Sequence, residues 1–392
     1  MQLYLYKILV KILASAALLI VLGLLLLDPI LKSFVPVYEN KDECKSNGEL
    51  ELICNLQNPE DFAVIPGEDA LIVSQFAGLA ELNEGFIKTG EISRLDLKSK
   101  NIENYNVRFI EDNGLGIGDE DCKPYKQLFP HGIDTHKTVS LKNSKNFSPF
   151  LEEAHLLAVI NHEIVDRVEF FLFFNEEIIF SDDPQKTLFW VGCVEAPRKN
   201  TYFNDVVIKD EYGGFFATHQ YDKDWNFSKL ELYNAFRLNT GYVYEWNKKD
   251  GFKIVDNSYG AWPNGIEMID DTLFVSYRMN GMVSAIKNDQ RTNFKFRNYL
   301  EGGSDNIIAK DDELWIAVQN TDLGGLTCMD SSQVQCATPY SVIVTDKYLN
   351  LIKQYEFGNT SFGGLSVVYP YEDELILGSY KSDRIGIFKT ND

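Results

Sequence analysis

A short pattern recurs along the chain: a turn rich in Asp, Glu or Gly, then four or five apolar residues, then a small or polar residue. Asp271-Thr272-Leu273-Phe274-Val275-Ser276 is the clearest copy. Others are Glu68-Asp69-Ala70-Leu71-Ile72-Val73-Ser74, Leu156-Leu157-Ala158-Val159-Ile160-Asn161, Gly214-Phe215-Phe216-Ala217-Thr218, Glu313-Leu314-Trp315-Ile316-Ala317 and Glu374-Leu375-Ile376-Leu377-Gly378. With Leu71, Leu157, Phe215, Leu273, Leu314 and Leu375 as markers, the copies lie 86, 58, 58, 41 and 61 residues apart. Runs rich in β-branched and aromatic residues, bounded by turn residues, read as strands. Six copies at blade-length spacing predict an all-β, six-bladed β-propeller. A large β-sandwich, or two, lacks a repeat of this length and ranks second. One stretch departs from the pattern. Residues 227–238 place Leu230, Tyr233 and Phe236 at helical spacing, which predicts a short helix inserted between blade strands.

Ahead of the repeats, Lys7 and Lys11 precede sixteen uncharged residues from Ile12 to Leu27, ended by Asp28-Pro29. With Ile8 to Val10 included and Lys11 snorkelling, the segment approaches the ~20 residues that span a bilayer. No small-residue cleavage site follows it. Residues 1–35 therefore read as a signal anchor with its N-terminus cytoplasmic. Residues 36–57 read as a polar connector, and residues 58–392 as a propeller on the extracytoplasmic, periplasmic or lumenal side. The six Cys, at 44, 54, 122, 193, 328 and 336, fit an oxidising compartment. Cys44/Cys54 and Cys328/Cys336 are close enough for local loops and Cys122/Cys193 would remain, but fifteen connectivities are open. A net charge of -21 argues against nucleic acid as a partner.

The chemistry centres on Phe129-Pro130-His131-Gly132-Ile133-Asp134, with a second His in Val159-Ile160-Asn161-His162. Neutral imidazole is a general base near neutral pH. There are only five His and no HExxH or CxxC spacing, so a multi-His zinc site is not signalled. Four other segments supply carboxylates and amides: Asn58-Pro59-Glu60-Asp61, Asn204-Asp205, Pro263-Asn264-Gly265 and Ser304-Asp305-Asn306-Ile307. Ca²⁺ takes six to eight such oxygens. The innermost strands of a propeller line one central channel, so segments in four different blades converge there. In Glu60-Asp61 and Asn204-Asp205, strand alternation sets the adjacent side chains at different depths, one for an upper and one for a lower ion. Asn-Gly and Asp-Asn are ordinary turn chemistry when taken singly. Their occurrence together with the His motif points to a calcium-dependent hydrolase.

These segments, in this order, resemble the paraoxonases, the calcium-dependent lactonases and arylesterases close to the gluconolactonase-like propellers. The resemblance runs from about Asn58 to about Ile387. It is carried by the segments above together with Asn204-Asp205-Val206-Val207, Asn264-Gly265-Ile266 and Asp305-Asn306-Ile307. It implies a catalytic Ca²⁺ held by Glu60, Asn204, Asn264, Asp305 and Asn306. It implies a structural Ca²⁺ held by Asp61, Asp205 and the backbone carbonyl of Ile133. His131 would activate water, and His162 would orient it. The substrate would be a small lactone or activated aryl ester. Three features depart from the family. The last Cys is Cys336, so no disulfide joins the two ends of the propeller. Thr218-His219-Gln220-Tyr221 stands where the family carries Asn-Asp-His. The loop over 320–340 is longer. The competing reading is a non-catalytic, calcium-stabilised propeller that binds a lipid or protein partner, for which the His pair would have no use.

Overall fold

The computed structural model describes residues 43–46, 48, 50–78, 89–110, 114–142, 144, 147, 152–175, 186–295, 303–320, 334–335, 337–358 and 360–390. The expected membrane segment and the Cys328/Cys336 pair lie outside these residues. Among the described residues no helix is long and apolar enough to cross a membrane.

The chain forms the expected six-bladed propeller. Strand β1 (Leu50–Cys54) comes first in sequence and last in the fold. Blade one is β2 (Pro59–Val64), β3 (Ala70–Gln75), β4 (Glu91–Asp96) and β5 (Ile102–Asn104). Blade two gains a fifth strand: β6 (Asn106–Phe109) lies parallel to β10 (Thr187–Glu195), outside β7 (Pro130–Ser140), β8 (Glu153–Asn161) and β9 (Arg167–Phe173). Blade three is β11 (Thr201–Ile208), β12 (Phe215–Asp222), β13 (Tyr242–Asn247) and β14 (Gly251–Ile254). Blade four is β15 (Pro263–Ile269), β16 (Thr272–Tyr277), β17 (Met282–Lys287) and β18 (Gln290–Lys295). Blade five is β19 (Gly303–Lys310), β20 (Glu313–Gln319), β21 (Tyr340–Asp346) and β22 (Leu351–Phe357). Blade six is β23 (Leu365–Tyr371), β24 (Glu374–Ser379) and β25 (Arg384–Lys389), with β1 as its outer strand. The inner strands β2, β7, β11, β15, β19 and β23 touch in a closed ring.

All six marker residues fall on the second strand of a blade. That strand is covered on both faces by neighbouring blades, so it reads as a continuous apolar run; β3 is buried throughout. The outer β18 is largely exposed and carries no such run. Residues 50–54, assigned to the connector on sequence, instead belong to the propeller: β1 pairs antiparallel with β25, Leu50 opposite Phe388 and Cys54 opposite Arg384. The Cys44–Cys54 disulfide braces this closing strand locally. The buried Arg384 guanidinium donates to the Ser361 carbonyl (3.1 Å) and the Glu43 carbonyl (3.4 Å). Hydrogen bonds thus do the work of an end-to-end disulfide. Cys122–Cys193 ties β10 to the segment before β7.

The two faces of the propeller differ. Inner strands start on the upper face and end on the lower, where short turns such as Asp270-Asp271 and Asp311-Asp312 lead into the second strand. Second-to-third connections return on the upper face, among them residues 162–166. The inserted helix, α1 (Phe227–Ala235), lies on the upper connection of blade three. Asn226 caps it by accepting the Lys229 N–H. The helix ends three residues before the boundary expected from sequence, with Arg237 in the left-handed region (φ 51).

Candidate active site

Every inner strand breaks register near its upper end. The shifts fall between Pro59 and Asp61, Pro130 and Ile133, Phe203 and Val206, Pro263 and Ile266, Ser304 and Ile307, and Leu365 and Val367. A bulge re-aims side chains, so strict alternation does not govern these residues. Glu60, His131, Asn204, Asn264, Asp305 and Asn306 are all buried here. Gly132 and Gly265 sit inside strands, not in turns. A Cβ on Gly132 would lie 2.4 Å from Asp205 Cα, and one on Gly265 2.5 Å from Asn306 Cα. The glycines let neighbouring inner strands approach, which is why His-Gly-Ile and Asn-Gly-Ile repeat.

The upper tier is short of partners. Glu60 Oε2, Asn204 Oδ1, Asn264 Oδ1 and Asn306 Oδ1 are buried and have no hydrogen-bond partner among the described residues. Orphaned buried acceptors are costly and uncommon. These four come from blades one, three, four and five. Asn306 Nδ2 donates to Glu60 Oε1 (3.1 Å), which joins two of the groups. Burial pushes Glu60 up to about 8, against the Asn306 hydrogen bond that lowers it. Asp305 is pushed up to about 7 by burial, opposed by the Arg278 guanidinium. Two carboxylates and three amides with spare oxygens match the donor chemistry of a hard cation. Among the described residues no three His, Cys, Asp or Glu side chains are placed to hold one metal ion, so a cation in the upper tier would depend on the amide oxygens.

The lower tier is satisfied. Asp61 accepts from Phe62 N (2.9 Å) and, across blades, from Ile133 N (2.8 Å). Asp205 repeats this with Val206 N (2.7 Å) and Ile266 N (2.8 Å). Asp134 accepts from Ile208 N (2.7 Å) and Glu267 from Ala309 N (2.9 Å). The carboxylates stitch successive inner strands together. Blades one and two repeat in blades three and four, His131-Gly132-Ile133-Asp134 matching Asn264-Gly265-Ile266-Glu267. Burial raises all four carboxylates, with added repulsion from neighbouring carboxylates for Asp61, Asp134 and Asp205. Among the described residues none of the four pairs with Lys, Arg or His. Below them a cavity of about 430 Å³ opens on the lower face, lined by these four and by Asp270, Asp311 and Asp312. Lys310 also lines this cavity and Lys347 pairs with Asp270 and Asp312, so among the described residues it is the four inner-strand carboxylates that are left without a basic partner, and none of them has an orphaned oxygen.

Beside Glu60 the two histidines form a relay. His131 Nδ1 lies 2.8 Å from His162 Nε2, and His131 Nε2 lies 3.6 Å from Glu60 Oε1. His162 Nδ1 lies 3.0 Å from Asp166 Oδ2. Asp166 also accepts from Phe203 N (2.8 Å) and bonds the Lys223 ammonium. Phe76 stacks on His131 at 4.5 Å between centroids, and Tyr202 on His162 at 4.6 Å. Burial lowers both imidazoles to about 4, with nearby carboxylates opposing the shift. Burial works against ionised Asp166, but His162 and Lys223 hold it below the usual carboxylate range.

The structure thus gathers His131 and His162 with Glu60, and sets Asp61, Asp205 and Ile133 directly below. His219 stands apart, 3.2 Å from Asp222 and next to Arg198. Sequence reasoning missed Asp166 and Lys223, which complete the relay, and Arg278 and Gln319, which reach Asp305. A His and an Asp four apart in Asn161-His162-Glu163-Ile164-Val165-Asp166 was the available signal for the first of these.

No family model and no curated protein matches the chain. Several solved structures are similar to it in chain path. The PQQ-bound aldose sugar dehydrogenase of Streptomyces coelicolor is 14% identical over 88% of this chain and 99% of that one, with a TM-score of 0.47. A gluconolactonase candidate is 10% identical over 91% of this chain and 97% of that one, with a TM-score of 0.46. A streptogramin B lyase is 13% identical over 87% and 97%, with a TM-score of 0.44. At this distance the likeness carries no argument: the fold rests on the strand order above and the chemistry on the residues of the channel.

Proposed function

We propose that the protein is a calcium-dependent hydrolase of lactones and activated esters. The observation that supports this best is the set of four orphaned buried oxygens, drawn from four blades and standing beside the end of the His131–His162–Asp166 relay. Glu60, Asn204, Asn264, Asp305 and Asn306 would hold a catalytic Ca²⁺. Asp61, Asp205 and the Ile133 carbonyl would hold a structural one. When bound, the upper ion supplies a Lewis acid that polarises the substrate carbonyl.

The chain's own part is proton management. Ionised Asp166 is an acceptor only, so it selects the Nδ1–H tautomer of His162. His162 Nε2 then accepts from Nδ1–H of His131. That leaves the lone pair of His131 Nε2 facing Glu60 and the upper tier, where it takes a proton from water. The positive charge gained is shared along the relay towards Asp166. Phe76 and Tyr202 fix the ring planes and keep bulk water away. With residues 1–35 as an anchor, the propeller would work on the extracytoplasmic side of a membrane.

The test is a panel of lactones and aryl esters given to the full chain, with calcium and with chelator. Turnover that disappears on chelation and returns with calcium is the expected result. Calcium-dependent stabilisation without turnover of any substrate would favour the non-catalytic propeller.

A further inference from the structure

Arg278 opens the single helical turn after β16, and its side chain crosses from blade four to blade five. Nη1 lies 3.2 Å from Asp305 Oδ2, and Nη2 donates to Gln319 Oε1 at 2.6 Å. Gln319 Nε2 bonds the same Asp305 oxygen. The Arg278 N–H donates to the Trp262 carbonyl (3.0 Å), and the guanidinium lies 5.8 Å from the Tyr380 ring. The side chain is only 13% exposed. A buried ion pair is weak evidence for stability, because desolvation of both charges offsets their attraction. What distinguishes this pair is its position. Asp305 is one of only two carboxylates in the upper tier, and Arg278 occupies it. The lower tier offers four carboxylates and, among the described residues, no basic partner.

We propose that Arg278 is an internal cation that competes with the upper metal ion for Asp305 and keeps that site's affinity low. The inference rests on the cation reading of the upper tier and deepens it. The Gln319 amide holds the guanidinium in register and shares Asp305 Oδ2, leaving Oδ1 for other partners. An ion entering beside Asp305 therefore meets a carboxylate already balanced by a fixed positive charge. A unit charge about 5 Å from a divalent ion weakens its binding by roughly tenfold even at a dielectric of about 80, that of bulk water, and by more in the interior. The upper site then fills at higher calcium concentration than the lower one, so the activity would follow external calcium while the fold keeps its structural ion.

The experiment is a calcium titration of the melting temperature of the full chain, with Arg278→Met and Arg278→Lys beside the unsubstituted protein. The lower site fills first, so the readout is the free calcium concentration at the midpoint of the second, higher-calcium phase of the stabilisation. Arg278→Met should move this midpoint down by about tenfold, while Arg278→Lys, which keeps the charge, should stay within about threefold of the parent. An unchanged or raised midpoint in folded Arg278→Met overturns the proposal. If Arg278→Met does not fold, Arg278→Gln, which keeps hydrogen bonds to Asp305 and Gln319, is read in the same way. Glu60→Gln separates the two levels of the argument. If Glu60→Gln leaves the calcium response untouched, the cation reading itself fails, whatever Arg278 does.

Discussion

Glu60 and Asp61 are neighbours in sequence and opposites in chemistry. Asp61 uses both carboxylate oxygens on backbone N–H groups, one from its own blade and one from the next. Glu60 keeps Oε2 buried and unpartnered among the described residues. Asn204 and Asp205 repeat the contrast in blade three. The lower member of each pair is spent on holding blades together. The upper member is held ready by that stitching and has nothing in the fold to satisfy it. Unspent polarity is the mark of a place where something from outside the fold binds.

The largest effect that would sharpen this contrast is on stability. Asp205→Ala strips the acceptor from two buried N–H groups, each worth about 1–3 kcal/mol when left unmade. Equilibrium unfolding in chelator should show a loss of about 2–6 kcal/mol. Asn204→Ala, one residue away, should cost under about 1 kcal/mol in the same assay, because no fold contact of its Oδ1 is lost. Equal losses would erase the distinction between the tiers.

Activity comes next. His131→Gln should lower lactone turnover by about 10²-fold, the usual worth of a positioned base. The calcium midpoint of thermal unfolding should stay put, since His131 is not among the proposed ligands. Full turnover in this variant would mean that the water is activated elsewhere.

Asp166→Asn should cost less, about tenfold in turnover. The amide can donate to His162 Nδ1 and so select the wrong tautomer, leaving the histidines in place but the lone pair misdirected. A matching loss in Lys223→Met, smaller than that of Asp166→Asn, would place the ammonium as support for the carboxylate. The pH profile of turnover is the discriminating readout, because a purely structural loss would scale the profile without moving it.

These residues differ in how far the sequence could reveal them. The six second strands were legible because coverage on both faces forces an unbroken apolar run, as in Leu273-Phe274-Val275. The ligand segments were legible as motifs, but the reason for their glycines was not: Gly132 and Gly265 let neighbouring inner strands approach, which only the closed ring of blades makes necessary. β1 was hidden because Leu50-Glu51-Leu52-Ile53-Cys54 pairs with a strand at the other end of the chain, and no local signal reports such a partner. Asp166, Arg278 and Gln319 were hidden for a related reason. Their roles exist only where a loop folds back on His162 or two blades meet at Asp305.

The smallest expected effect belongs to Asn264→Ala in chelator, and that makes it the cleanest probe of the central claim. The measurement is thermal unfolding across a calcium titration, run beside Asp61→Ala with lactone turnover followed in parallel. Asn264→Ala should match the parent melting temperature in chelator, lose the upper-site part of the calcium response and lose most turnover. Asp61→Ala should start from a lower melting temperature before any calcium is added. Identical curves for the two variants would mean that the channel holds one undivided site, and would contradict the division between a stitched lower tier and a ligand-seeking upper one.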